Sequence, residues 1–326
     1  IIKLHKIYGP VITVWIGPFP FVFIGDPDLA REAFGKWELA GRPESQIGNI
    51  EICKKFDEQN LQKFKYCSTD FLEEQGNRIY LHEFIPVLRL FMKNPLDLFK
   101  GYFKEMIDYT KNIYKKHENT YDKDINRDFC DVLIATKLDA SNKDRESAQY
   151  YTDENLTSVM VELFLTAVET SSTTFQWMIL LMAHYPGIQQ KLRDDISGKL
   201  NDRIATISDK GHLDNVMAFI YETLRYRNAA PLGLFHCAIQ STRLSDKYSI
   251  PEKTCVIGHQ GYILTDEKHW TNADEFNPER FLNIHGKFDT LKPPAYIPFG
   301  TGRRICPGEQ LAINNLFLIL MLIQKQ

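Results

Sequence analysis

None of the chain's six cysteines (Cys53, Cys67, Cys130, Cys237, Cys255 and Cys306) sits in a C-x-x-C pair, so no usual zinc spacing and no disulfide framework is suggested. Scattered single thiols point to a reducing compartment. There is no basic excess either. The 39 Lys and Arg face 42 Asp and Glu, a formal net charge of -3, which leaves no electrostatic footprint for nucleic acid. No repeat or low-complexity tract occurs, which excludes a solenoid. No apolar run qualifies as a bilayer span: residues 159–185 are interrupted by Glu162, Glu169 and His184, and 311–323 is short and carries Asn314 and Asn315. Both segments are expected to be buried core helices. The chain begins at Ile1 with neither an initiator methionine nor a signal-type segment, so the natural start is expected to lie upstream.

The composition that remains, 44% hydrophobic and 25% charged, is that of a globular protein, and 326 residues suffice for a sizeable core. Residues 11–16 and 21–24 are β-rich and flank Gly17-Pro18-Phe19-Pro20, the pattern of a hairpin. Asp26-Pro27 then caps a helix expected to reach about Phe34. Residues 81–116 read as helix punctuated by Pro86 and Pro95, and 118–128 and 140–150 as polar connections. Thr152-Asp153-Glu154 announces a long helix, which Pro186-Gly187 ends, and 248–263 is the other β-rich region. The expectation is a mainly α fold with a minor β-sheet region.

Chemistry concentrates in Phe299-Gly300-Thr301-Gly302-Arg303-Arg304-Ile305-Cys306-Pro307-Gly308, which runs directly into a helical apolar segment. A cysteine just before a helix N-terminus, with arginines beside it, is placed to favour the thiolate, the form that ligates metals or acts as a nucleophile. The glycines allow tight turns and close approach to a flat partner. Taken alone, a single cysteine in such a loop is more often structural.

The spacing decides between these readings, because the stretch resembles the haem-binding signature F-x-x-G-x-R-x-C-x-G of the cytochrome P-450 superfamily. Phe299, Gly302, Arg304, Cys306 and Gly308 match all five fixed positions. The resemblance implies that Cys306 is the axial ligand of a haem b iron, with Phe299, Gly302, Arg304 and Gly308 around the cofactor. A thiolate ligand pushes electron density onto the iron and favours O–O cleavage.

Three further segments look like the same family. Glu222-Thr223-Leu224-Arg225 resembles its E-x-x-R helix, and Pro278-Glu279-Arg280-Phe281 its P-E-R-F segment; the resemblance makes Glu222, Arg225 and Arg280 a buried structural network. Thr166-Ala167-Val168-Glu169-Thr170 looks like the oxygen-binding segment, with Glu169 and Thr170 inheriting proton delivery as catalytic residues. Ala167 stands where the family has glycine, and a threonine bonded back to its own helix is the plainer alternative. Pro231-Leu232-Gly233-Leu234-Phe235-His236 resembles the turn after the E-x-x-R helix in animal microsomal members, where His236 and Arg304 would meet the haem propionates. Thr170, Glu222, Arg280 and Cys306 follow the family order at separations of 52, 58 and 26 residues.

By resemblance, residues 1–326 form a single haem-thiolate monooxygenase domain of P-450-like fold. It would insert one oxygen atom from O2 into an apolar small organic substrate with electrons from an NADPH-dependent cytochrome P-450 reductase. The full-length protein would associate with the endoplasmic reticulum membrane on its cytosolic face. The family pattern is departed from in three places: no W-x-x-x-R exists, since Trp15, Trp37, Trp177 and Trp270 precede Phe19, Gly41, Leu181 and Asp274 by four residues, and the stretch after about residue 43 that would hold it is short; the usual N-terminal anchor is missing; and no late β-hairpin follows Cys306. The chain is therefore read as truncated, and a non-catalytic haem-binding remnant, a haem-free scaffold and a haem-thiolate isomerase are the alternatives.

Overall fold

The computed structural model describes residues 1–42, 66–67, 77–143, 145–201 and 203–324. The stretch after residue 43, expected to be short, lies almost wholly outside them. Two compact units are distinguished, Ile1–Pro43 with Thr170–Gln326, and Glu44–Glu169. In chain order the helices are α1 (Ile2–Tyr8), α2 (Pro27–Gly35), α3 (Asn77–Phe84), α4 (Asp97–Asn119), α5 (Phe129–Asn142), α6 (Asp153–His184), α7 (Pro186–Leu200), α8 (Asp214–Tyr226), α9 (Gln260–Ile263) and α10 (Glu309–Gln324). The strands are β1 (Val11–Ile16), β2 (Phe19–Ile24), β3 (His236–Cys237), β4 (Thr242–Leu244), β5 (Tyr248–Ile250) and β6 (Cys255–Gly258). The fold is mainly α with a minor sheet.

In the first unit β1 and β2 pair antiparallel across Gly17-Pro18, with Trp15 opposite Pro20, so β2 begins two residues earlier than its β-rich run. β6 joins β2 in parallel and β3 closes the sheet antiparallel to β6, putting His236 opposite Val256. The Asp26 carboxylate caps α2 by accepting from the Asp28 and Leu29 N–H groups at 3.0 and 2.9 Å, with Pro27 at the first helical position. α2 buries Ala30, Ala33 and Phe34 in a core with Val22, Ile24, Val256 and Phe281. A second core joins the C-terminal half of α6 to α7, α8 and α10 through Met178, Leu192, Phe219, Leu316 and Phe317. Each such side chain contributes about 1.5–3 kcal/mol on removal from water.

The second unit has its own cores, one around Met106 and Ile107 of α4 and one joining Tyr114, Cys130, Ile134 and Leu156. Pro86 opens a 3-10 turn, Pro86–Leu90, that separates α3 from α4.

Two expectations require correction. Of residues 159–185, those up to His184 are helical, but the segment is not buried throughout: Val161, Met178, Leu181 and Met182 are buried, whereas Val159, Phe164, Val168, Ile179 and Leu180 are exposed. Successive residues of a helix face different directions, so packing on one side leaves the other open whatever its apolarity. The β-rich run 248–263 ends at Gly258 and turns into α9, a single turn too short to leave a helical period in the sequence. Pro186 both ends α6 and starts α7 at its first position. Residues 311–323 lie in α10, which buries Ile313, Leu316, Phe317, Leu320 and Met321 while leaving Leu311 and Leu322 exposed.

Candidate functional site

The cysteine loop is closed by its own backbone. The Cys306 N–H donates to the Phe299 carbonyl at 3.0 Å, across a 3-10 turn Gly302–Arg304. Gly302 has φ +79°, and a Cβ there would lie 2.2 Å from the Phe34 carbonyl oxygen, so α2 packs where only glycine fits. Gly300, at φ +80°, is the second left-handed residue. Phe299 packs against the core of α8 and α10, which anchors the loop, and the loop presents Cys306 to solvent three residues before α10 begins. The Cys306 Sγ has no hydrogen-bond partner among the described residues. A Cβ on Gly308 would stand 3.7 Å from that sulfur, in ordinary contact.

Gln260 ties this loop to its neighbour. Its carboxamide oxygen accepts from the Gly300 N–H at 3.2 Å and its NH2 donates to the Ala230 carbonyl at 3.1 Å. The segment 231–235, with exposed Leu232 and Leu234, is thus fixed beside the cysteine loop.

Three cationic or basic groups gather where β3 meets the chain after α2. His236 is buried, its ring lies 4.2 Å from Phe34, and its Nδ1 pairs with the Leu39 carbonyl at 3.0 Å. That bond makes Nδ1–H the donor and leaves Nε2 bare in the neutral ring. Burial first, with the Arg42 and Arg304 charges, lowers the His236 pKa to about 4 against the bond to Leu39, which raises it. Arg42 donates to the Phe235 carbonyl at 2.7 Å and Arg304 to the Ala40 carbonyl at 3.2 Å. The Arg42 pKa is itself lowered, by burial first and by the nearby Arg304 charge second. Neither guanidinium has a carboxylate partner among the described residues, so there the two like charges stand together.

These features fit a haem. An open thiol in a glycine-shaped loop can meet the iron, and two guanidiniums lacking acids can meet a pair of propionates by charge-assisted bonds. The structure therefore brings together Phe299, Gly302, Arg304, Cys306, Gly308 and His236 from the sequence reading and adds Arg42 and Gln260. Arg42 lies far from the cysteine loop in the chain, and although Gly41-Arg42-Pro43 looks like a segment of the same family, the sequence alone assigns Arg42 no role. It reaches the site because Gly41 bridges Cys237, where a Cβ would meet the Cys237 carbonyl oxygen at 2.7 Å.

Residues 50–325 match the family model described as Cytochrome P450. The chain belongs to the cytochrome P450 family. It is 34% identical over 240 residues to a steroid 17-alpha-hydroxylase/17,20 lyase of Squalus acanthias, covering 73% of this chain and 47% of that protein. It is 31% identical over 271 residues to cytochrome P450 1A1 of Rattus norvegicus, covering 83% and 51%. The chain spans about half the length of these curated relatives. Members of the family use haem with an axial cysteine thiolate.

The buried scaffold under the loop of this P450 is built on Glu222 and Arg225 of α8, both fully buried. Arg225 Nε and Nη2 donate to the two Glu222 carboxylate oxygens at 2.7 and 2.8 Å. Nη1 donates to the Leu264 and Ala273 carbonyls at 2.9 and 3.0 Å, and the guanidinium stacks 5.3 Å from Trp270. Glu222 also accepts from the Asn277 N–H at 2.9 Å and from Arg280 Nε at 3.4 Å. An i,i+3 pair that could have been a solvated surface contact is thus a fully desolvated network.

Thr170 and Glu169 sit mid-way along α6, Thr170 exposed and Glu169 half-buried. The Thr170 carbonyl accepts from the Thr174 hydroxyl at 2.8 Å, and the Thr166 hydroxyl is bonded back to the Glu162 carbonyl at 2.7 Å. Among the described residues no helix is long and apolar enough to cross a membrane.

Proposed function

We propose that this chain carries the haem-thiolate centre of a monooxygenase, with Cys306 as the axial ligand of haem b. The observation that carries the reading is the Arg42–Arg304 pair, which has no acid partner among the described residues, beside the exposed Cys306 loop, a charge and ligand pattern suited to a dianionic macrocycle. Arg304 and Arg42 hold the propionates, and His236 takes a proton when a carboxylate arrives to offset its burial. Phe299, Gly302 and Gly308 shape the loop that exposes the sulfur.

When bound, haem with a thiolate ligand supplies the activation of dioxygen. The Glu169 carboxylate holds a proton and the Thr170 hydroxyl passes it on, which is the role their place in α6 is assigned by family likeness. The substrate is an apolar small organic molecule, and electrons come from NADPH through a cytochrome P450 reductase. In the whole protein this centre works at the cytosolic face of the endoplasmic reticulum membrane, and residues 1–326 belong to a single haem-thiolate monooxygenase domain.

The test is NADPH oxidation and product formation by the haem-loaded chain with reductase and a panel of steroids and polycyclic aromatics, compared with Thr170→Ala. Retained haem and NADPH oxidation with product yield reduced is expected for the variant. Equal product per NADPH in the two proteins contradicts the role of Thr170, and no product with any substrate contradicts the monooxygenase reading.

A further inference from the structure

The last turn of α4 and the start of α5 bring His117, Asp128 and Cys130 together, one ligand atom from each lying within 4.8 Å of the others. Asp128 caps α5 with Oδ1, which accepts from the Cys130 N–H at 2.9 Å and from the Asp131 N–H at 3.4 Å. Its Oδ2 stays free of the helix and faces His117 Nε2 at 3.5 Å. On the other side of the ring His117 Nδ1 is 3.2 Å from Asp131 Oδ1. With Nδ1 as the donor there, a neutral ring turns its Nε2 lone pair toward the Asp128 carboxylate.

Cys130 supplies the independent observation. It is 2% exposed, and its Sγ has no hydrogen-bond partner among the described residues. A buried sulfur, an imidazole nitrogen and a carboxylate oxygen converge, with half of Asp128 open to water at 52% exposure. That is the donor set of a tetrahedral zinc site with a water in the fourth position.

The surroundings match as well. Metal-bound histidines usually give their other N–H to a carboxylate, and Asp131 stands in that place. Asp131 is fixed by Arg127, whose Nε and Nη2 donate at 2.7 Å each and whose backbone N–H donates at 2.9 Å. The Arg127 guanidinium holds the Asp131 carboxyl well below the usual range, so it remains an anion. With a dication added, the charges of Asp128, Asp131, thiolate and Arg127 cancel.

We propose that His117, Asp128 and Cys130 bind a divalent transition metal of the zinc type, clamping the end of α4 to the start of α5. Binding forms bonds from Sγ, Nε2 and Oδ2 to the cation and sends the thiol proton to solvent; nothing is oxidised or reduced. The sequence gives no hint of the site, since D-x-C with a histidine eleven residues upstream is not a zinc spacing. The competing arrangement is a doubly protonated His117 bridging Asp128 and Asp131.

The experiment is a titration of Co2+ into the chain carrying Cys306→Ser, which removes the exposed thiol, followed by the thiolate charge-transfer and tetrahedral d–d absorption bands. One equivalent of tetrahedral cobalt, displaced by Zn2+, is expected. His117→Gln, a change at a partly exposed ring, weakens binding by more than ~100-fold, since loss of a mere outer partner costs 10–100-fold. Cys130→Ala abolishes the charge-transfer band. Absence of tetrahedral bands in the parent overturns the proposal, as does an unchanged spectrum in His117→Gln.

Discussion

Replacing Glu222 by alanine strips the Arg225 guanidinium of its one carboxylate partner among the described residues, at a position where neither residue reaches solvent. Breaking a buried pair from one side costs about 3–5 kcal/mol, because the remaining charge is left uncompensated. Arg225 keeps its donations to the Leu264, Ala273 and Glu275 carbonyls, whose dipoles offset part of that charge. The expected loss is therefore about 3–4 kcal/mol, a large fraction of a typical 5–15 kcal/mol total. Urea denaturation followed by helical circular dichroism reads it. With an m-value near ~3 kcal/mol/M, the midpoint falls by about 1 M. Glu222→Gln keeps an acceptor of the same size and loses about half as much. In Glu222→Leu with Arg225→Met, both fully buried charges are gone and only the partly exposed Arg280 loses an acceptor, so the pair loses less than the two single changes together by more than ~1 kcal/mol. A loss under ~0.5 kcal/mol in Glu222→Ala, the size of a surface substitution, refutes the reasoning.

Gly302→Ala places a Cβ against the Phe34 carbonyl at a left-handed φ, costing at least about 1–3 kcal/mol; the urea midpoint falls and haem affinity falls with it. His236 and His259, both held neutral by burial with pKa values lowered from 6.5 to about 4, bind fewer protons folded than unfolded between those values. Stability of the haem-free chain is thus full above about pH 6.5 and declines as pH falls toward 4, by up to about 3 kcal/mol per ring; urea midpoints against pH show it, and His236→Gln shrinks the decline. Arg42→Ala with Arg304→Ala removes two charge-assisted contacts and weakens haem binding by about 10–100-fold in a fluorescence-quenching titration, with no change in the axial ligand.

The cysteine loop and the α8 pair were legible in the sequence because their chemistry is local. Phe299 to Gly308 sit in one turn-rich decapeptide, and Glu222 and Arg225 on one helix face. Sequence order could not say whether that pair is solvated or buried, because burial is set by Trp270, Leu264 and Ala273 from a distant segment. Arg42 and Gln260 were missed for the same reason. One enters through the bridge from Gly41 to Cys237, the other from a one-turn helix hidden in a β-rich run. The exposed face of α6 was misread because apolarity counts residues and not the directions they face.

The account turns on Cys306 as a thiolate ligand. Haem-reconstituted chain, reduced and exposed to carbon monoxide, is predicted to show the red-shifted Soret band of thiolate ligation, and Cys306→Ala to lose it. A Soret band typical of a neutral ligand, or the same spectrum in Cys306→Ala, contradicts it.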